Sequence, residues 1–264
     1  MKLIDTIPAV ADEAVARTWD PEYLTRVGEA LFRAFPDTSA EEVEELYASD
    51  VLPSNFQGVH ATSTWGHIET SYLNSFFADN PDDTLKLQIP AGFHSMFSRL
   101  HDARLDVTGS LTNHLGWGAV DSKIKATGNY EYVGTRANGS DLVVFGNVTR
   151  SLGSHASGSS FLVIGDTLKD VGLCARNTSF VIGGNVGRVL DRGRSGSTAY
   201  IWGNAYRRML SLATECVVDI HGTVYGSTLY RAEGCELTAQ EIAGKNYADM
   251  YSANKVKIVG HWSS

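Results

Sequence analysis

The chain has 264 residues, 43% of them hydrophobic and 20% charged, with a formal net charge of −8. No apolar run approaches the ~18 residues that cross a bilayer, the N-terminal stretch MKLIDTIPAVADEAV lacks the apolar core of a signal peptide, and three cysteines (Cys174, Cys216, Cys235) are too few for a disulfide framework. These readings exclude membrane-spanning and disulfide-stapled classes and lead to the expectation of a cytoplasmic protein or a component of an assembled particle.

The charge is unevenly placed. Residues 1–104 carry 17 acids and 7 bases, a balance of −10, while residues 105–264 carry 13 acids and 15 bases, a balance of +2. An acidic head on a near-neutral body lacks the basic surface that general nucleic-acid binding requires. Only four of the 26 glycines precede residue 105, so composition changes at the same point as charge. Two parts are therefore expected, 1–104 and 105–264.

In chain order, WDPEYLTRVGEALFRAFP predicts a helix with Asp20 as N-cap, Pro21 in the first turn and a stop before Pro36. Leu24, Val27, Leu31 and Phe35 share one face. DTSAEEVEELYASD predicts a second helix, with Ser39 and Glu42 at capping-box spacing. Its acids Glu41, Glu42, Glu44 and Glu45 read as a solvated face or as stabilisers of the helix start. TWGHIETSYLNSFF reads as helix and TLKLQIP as a short strand. Residues 50–104, with Trp65, Tyr72, Phe76, Phe77, Phe93 and Phe97, are placed to cap whatever follows.

From residue 105 the chain repeats. Glycines stand at Gly109, Gly128, Gly146, Gly165, Gly184, Gly203 and Gly222, spaced 19, 18, 19, 19, 19 and 19; Gly244 and Gly260 fall 22 and then 16 further on. Two positions before each glycine lie Val107, Ala126, Val144, Val163, Ile182, Ile201 and Ile220. Four before lie Leu105, Ile124, Leu142, Phe161, Phe180, Ala199 and Val218. This period-two alternation is that of half-buried strands. Fixed-period self-similarity of this kind is a solenoid signature, and parallel coils about 4.8 Å apart place each residue over its homologue. The position after the glycine reads Asn129, Asn147, Asp166, Asn185, Asn204 and Thr223, side chains able to hydrogen-bond along a column at a corner. The expected fold is mainly β: a right-handed single-stranded parallel β-helix of roughly eight coils, with a small, mostly helical N-terminal domain. The last candidate glycine, Gly260, falls within KVKIVGHWSS, where Trp262 or another molecule is expected to shield the final coil.

The runs VIGGNVGRVL, YIWGNAYRRML, VFGNVTRSLG and VDIHGTVYGSTL resemble the Gly-rich repeats of a right-handed β-helix domain. That domain is found at the C-terminus of the glutamate synthase large subunit and in the formylmethanofuran dehydrogenase C subunit. The resemblance covers about residues 105–230 and implies a non-catalytic scaffold against which other domains or subunits pack. A second glycine of that pattern stands at Gly187 and Gly226, while Thr149, Leu168 and Tyr206 replace it elsewhere.

Stacking brings reactive residues of adjacent coils together. Four residues after the glycines come Arg150, Lys169, Arg188 and Arg207, a column of cations that suits an acidic partner surface or that splays into solvent beside Asp170 and Asp191. Asp166, Asp170 and Asp191 fall near one corner and form the candidate carboxylate set of a glycan-cleaving enzyme; ladder membership and ion pairing account for them equally. His155 with Cys174, and Cys216 with Cys235, share columns, but three or four converging metal ligands are lacking. Ser159, Thr178, Ser197, Cys216 and Cys235 read as a run of small side chains. Phosphate-loop, nucleophile-elbow and metalloprotease motifs do not occur. The expected function is that of a non-enzymatic structural or assembly protein, a phage or virus-like component included, with protein partners or copies of itself, no cofactor, no metal, no nucleic acid and no membrane. The alternatives are a carbohydrate-active enzyme and a scaffold subunit of a redox enzyme.

Overall fold

A computed structural model describes residues 3–7, 20–35, 37–49, 58–89, 93–245 and 254–259. Gly260, Trp262 and the side chain of Trp65 lie outside the described set. Three helices, α1 (Pro21–Ala34), α2 (Ala40–Ala48) and α3 (Gly58–Asp79), follow a short helical segment at 3–7. Asp20 caps α1 by accepting the Tyr23 N–H at 2.8 Å. Ser39 and Glu42 form the reciprocal capping box of α2, at 3.3 and 3.2 Å. Both starts follow from side-chain oxygens satisfying helix N–H groups that have no carbonyl partner.

The rest is a parallel β-solenoid. Ten strands, numbered in chain order, form one continuous sheet: β1 (Leu85–Gln88), β2 (Arg104–Thr108), β4 (Lys123–Thr127), β6 (Asp141–Phe145), β8 (Ser160–Val163), β10 (Ser179–Ile182), β12 (Thr198–Ile201), β13 (Val217–Val224), β14 (Glu236–Ile242) and β15 (Lys255–Ile258). A second sheet contains β3 (Leu111–Leu115), β5 (Tyr130–Val133), β7 (Val148–Leu152), β9 (Thr167–Val171) and β11 (Val186–Val189). Its stack continues as single bridges through Ala205 and Val224. A third, narrow face is bridged through Val120, Asn138, Ser157 and Arg176. Nine steps between ten strands give a rod about 43 Å long.

Register is that of the repeat. Ile182 pairs with Val163 on one side and Ile201 on the other, and Ile201 pairs with Ile220. Each is buried, as are Phe161 and Phe180, whose rings stack at 5.1 Å. Two side-chain ladders rivet the coils. At the Gly-Asn corner the N–H groups of Asn147, Asp166, Asn185, Asn204 and Thr223 each donate to the side-chain oxygen of the residue one coil below, at 2.6–3.0 Å. At a buried corner the direction reverses: the N–H groups of Ala103, Ser122 and Ser140 donate to the hydroxyls of Ser122, Ser140 and Ser159 one coil above, at 3.1–3.2 Å. Cys216 and Cys235 continue that column, whose last acceptor is the Asn254 amide oxygen at 3.0 Å.

The stack opens before the glycine ladder. β1 precedes residue 105 yet pairs in parallel with β2, Leu85 against Leu105. As the outermost strand, β1 would leave backbone donors unpaired. Glu44 of α2 accepts the Lys86 N–H at 2.6 Å, so an acid that sequence reading left on a solvated face covers the sheet edge instead. Tyr72, Phe76, Phe77, Phe93 and Phe97 are buried, and Tyr47 stacks on Phe97 at 6.0 Å. Between them sits Glu69, 1% exposed, accepting from the Tyr47 hydroxyl at 2.6 Å and from the Phe97 N–H at 2.8 Å. Glu69 therefore joins α2, α3 and the first coil through one carboxyl group.

Two outcomes are expected. A Cβ on Gly146 would lie 1.9 Å from the Gly128 carbonyl oxygen at a φ of +148°, so Gly146→Ala should lower stability by at least about 2 kcal/mol in urea unfolding. Burial pushes the Glu69 carboxyl up from 4.5 to about 7, against the pull of its two donors. A carboxyl with a raised folded pKa binds its proton more tightly when folded. Its contribution is complete below the unfolded pKa and is lost as pH rises through about 7. Unfolding free energy should thus fall between pH 4.5 and 7.5 by up to about 3 kcal/mol, and Glu69→Gln should flatten that slope.

Candidate functional site

The predicted cation column is interrupted. Its members lie on the second sheet, where Gly187 shortens β11 by one residue and shifts register between Val186 and Arg188. Arg188 consequently pairs with Asp170 rather than standing over Lys169. Its guanidinium donates to both Asp170 oxygens, at 2.5 and 2.9 Å, and lies 3.6 Å from Asp191. Arg150 pairs with Glu131, one coil below, at 3.0 Å. Among the described residues Lys169 and Arg207 make no ion pair; both are exposed.

The three candidate catalytic carboxylates occupy structural positions. Asp166 is a rung of the Gly-Asn corner ladder, accepting the Asn185 N–H at 2.6 Å. Asp170 and Asp191 share Arg188, and Asp191 is 6% exposed. His155 and Cys174 occupy equivalent left-handed corners, both at φ 58°. Among the described residues no group of three or more His, Cys, Asp and Glu could hold a metal ion. No described helix is long and apolar enough to cross a membrane.

A groove of about 640 Å³ separates α1 and α3 from the first coils, lined in part by Thr70, Asn74, Arg99, His101 and Trp117. Its polar groups tie the head down: Thr70 donates to the Ser98 carbonyl at 2.7 Å, and Asn74 bridges the Arg99 carbonyl and the His101 N–H at 3.1 and 2.9 Å. Arg99 and Arg136 lie over the Trp117 ring at 4.8 and 5.8 Å.

The least expected surface is the outward face of the ten-stranded sheet. Three columns of side chains point away from the core there; the one that runs through Arg104, Lys123, Asp141, Ser160, Ser179 and Thr198 is polar over that stretch, and the other two change along the rod. In the outer strands both are polar: Asp106 and Thr108, Lys125 and Thr127 at one end, Asp219 and His221 at the other. In the four central coils both become apolar: Val143 and Phe145, Leu162 and Ile164, Val181 and Gly183, Tyr200 and Trp202. Phe145, Ile164, Tyr200 and Trp202 are 43, 53, 45 and 62% exposed. Past the corner, Leu168, Tyr206 and Tyr225 are exposed too, and Tyr206 and Tyr225 stack at 5.4 Å. Inward periodicity alone did not reveal this patch. Its sequence signal is the switch from charged or hydroxyl to apolar residues at the positions one and three before the glycine, confined to four coils.

Comparison with protein-family models, with curated proteins and with solved structures finds no match for this chain. The fold stands as a parallel β-solenoid on its own geometry.

Removing Arg188 strands a buried carboxylate, whereas Arg207 is solvated. Arg188→Ala should cost about 2–4 kcal/mol in denaturant unfolding, and Arg207→Ala less than about 0.5 kcal/mol.

Proposed function

We propose that this is a non-catalytic structural protein whose rigid solenoid serves protein–protein packing in a larger complex or particle, a phage or virus-like component included. The observation that carries this reading is the apolar outward face over four central coils, between Phe145 and Trp202. The solvent side of a solenoid sheet needs no apolar side chains for folding, and contiguous exposed apolar patches mark interaction sites. A rod whose coils are riveted at two corners offers such a patch with little ordering to lose on binding. The resemblance to the Gly-rich repeat scaffold of multi-subunit redox enzymes points the same way, toward a surface for other subunits. For glycan cleavage the candidate acids Asp166, Asp170 and Asp191 would first have to leave their ladder and their arginine.

The test has two arms. The chain should elute from its native source in a high-mass species, and the purified protein should release no products from a panel of neutral and acidic polysaccharides. Turnover on that panel, abolished by Asp170→Asn or Asp191→Asn, would replace this reading with the enzymatic one.

A further inference from the structure

We propose, building on the assembly reading, that the partner on the apolar face is a second copy of this chain, packed antiparallel about a two-fold axis that crosses the sheet between β8 and β10. The axis runs along the strands and perpendicular to the rod. β8 of one copy then faces β10 of the other, β6 faces β12, β4 faces β13 and β2 faces β14. Three features of the ten-stranded sheet support this arrangement.

The first is position. In the strand order β1-β2-β4-β6-β8-β10-β12-β13-β14-β15, the apolar coils are the central four, two on each side of the axis. An isologous interface needs a patch that maps onto itself, and this one does: Val143 and Phe145 meet Tyr200 and Trp202 of the second copy, and Leu162 and Ile164 meet Val181 and Gly183.

The second is shape. Gly183 breaks the exposed column Phe145, Ile164, Gly183, Trp202 by leaving one rung without a side chain, while Ile164 in the next rung is 53% exposed. The axis places Ile164 of each copy over Gly183 of the other, so the protruding and the missing side chain fill one another. Aligned sheets pack about 10 Å apart, a separation that side chains of this size span.

The third is charge. Beyond the apolar centre the two ends of the face differ in charge: β1, β2 and β4 carry an excess of base over Asp106, whereas Asp219 and Glu236 on β13 and β14 are balanced by Lys255 and Lys257 on β15. Arg104, Lys123 and Lys125 point outward on β2 and β4, and Asp219 and Glu236 on β13 and β14. The antiparallel arrangement sets Lys125 against Asp219 and Arg104 against Glu236 of the second copy; in the single chain Arg104 pairs with Asp82 at 3.2 Å and Glu236 with Lys255 at 2.5 Å, so the second pair would have to exchange or share those partners. Among the described residues Asp219 Oδ1 is buried and finds no hydrogen-bond partner, so the carboxylate would meet Lys125 of the second copy through its other oxygen. Lys125 is paired at 2.7 Å with Asp106 in the single chain and would exchange or share that partner. The outermost strands set Lys86 against Lys257, a solvated rim that contributes no attraction. A parallel arrangement of the rods would instead set Asp219 against His221 and leave the basic end facing itself.

The size is sufficient. A face about 43 Å long and about 17 Å wide offers roughly 700 Å² per copy, near the ~800 Å² per partner of a standard stable interface.

The experiment is analytical ultracentrifugation of the purified full chain across low to high micromolar concentration. A reversible dimer is expected. Trp202→Glu and Ile164→Lys lie on the outward face, so each should give monomer at every concentration, with unchanged circular dichroism and a melting temperature that no longer rises with protein concentration. Lys125→Glu should weaken the dimer about tenfold, and the double change Lys125→Glu with Asp219→Lys should restore it. A wild-type chain that stays monomeric overturns self-pairing, as does a dimer indifferent to both face variants. A dimer lost on Lys125→Glu and not restored by the exchange overturns the antiparallel orientation. If the chain is monomeric alone yet high-mass in its native extract, and Trp202→Glu releases it, self-pairing falls and the assembly reading stands. If it is monomeric in both settings, both fall.

Discussion

The structure depends on one constraint: every coil must hydrogen-bond to the next in the same register, so a residue and its homologue nineteen positions on occupy the same corner or face. Parallel pairing carries the constraint along the ten-stranded sheet, and the two side-chain ladders carry it through the corners, where strand pairing stops. The ladders run in opposite senses. At the Gly-Asn corner side-chain oxygens accept from the coil above, while in the buried serine column they accept from the coil below. The serine column thereby satisfies donors that would otherwise be buried without partners.

The same constraint sets what the candidate acids bind within the chain. A carboxylate that enters a column becomes an acceptor for its neighbours' backbone, as Asp166 does, or a counter-ion, as Asp170 and Asp191 do for Arg188. The one-residue shortening at Gly187 moves Arg188 off Lys169 and onto Asp170, converting a predicted repulsion into a bidentate pair.

The acidic head has a physical task in this architecture. A solenoid end exposes strand donors and a cross-section of core. Glu44 takes a donor of β1, and Tyr47, Glu69 and Phe97 close the core beneath α2 and α3. The buried Glu69 ties this closure to pH, because its charged form is the one that burial disfavours. Head and rod thus form one hydrophobic core.

By itself the sequence determined the solenoid, its nineteen-residue register, both helix caps and the Asn column, and it showed the later part of the serine column only as a run of small side chains. Each of these rests on local repetition: identical side chains recur because identical environments recur, and a period is visible without coordinates. What only the tertiary structure decided are the features that break the period or join distant segments. The recruitment of β1, the edge bond from Glu44 and the convergence on Glu69 link residues 20 to 42 positions apart with no glycine repeat to announce them. The offset at Arg188 arises from a bulge that glycine spacing, restored within the same coil, conceals. The apolar outward face was present as letters at Val143, Leu162, Val181 and Tyr200, but alternation only says that two faces differ. Which one meets the core, and that the other is also apolar in four central coils, is settled when the chain is wound and one side is left facing water.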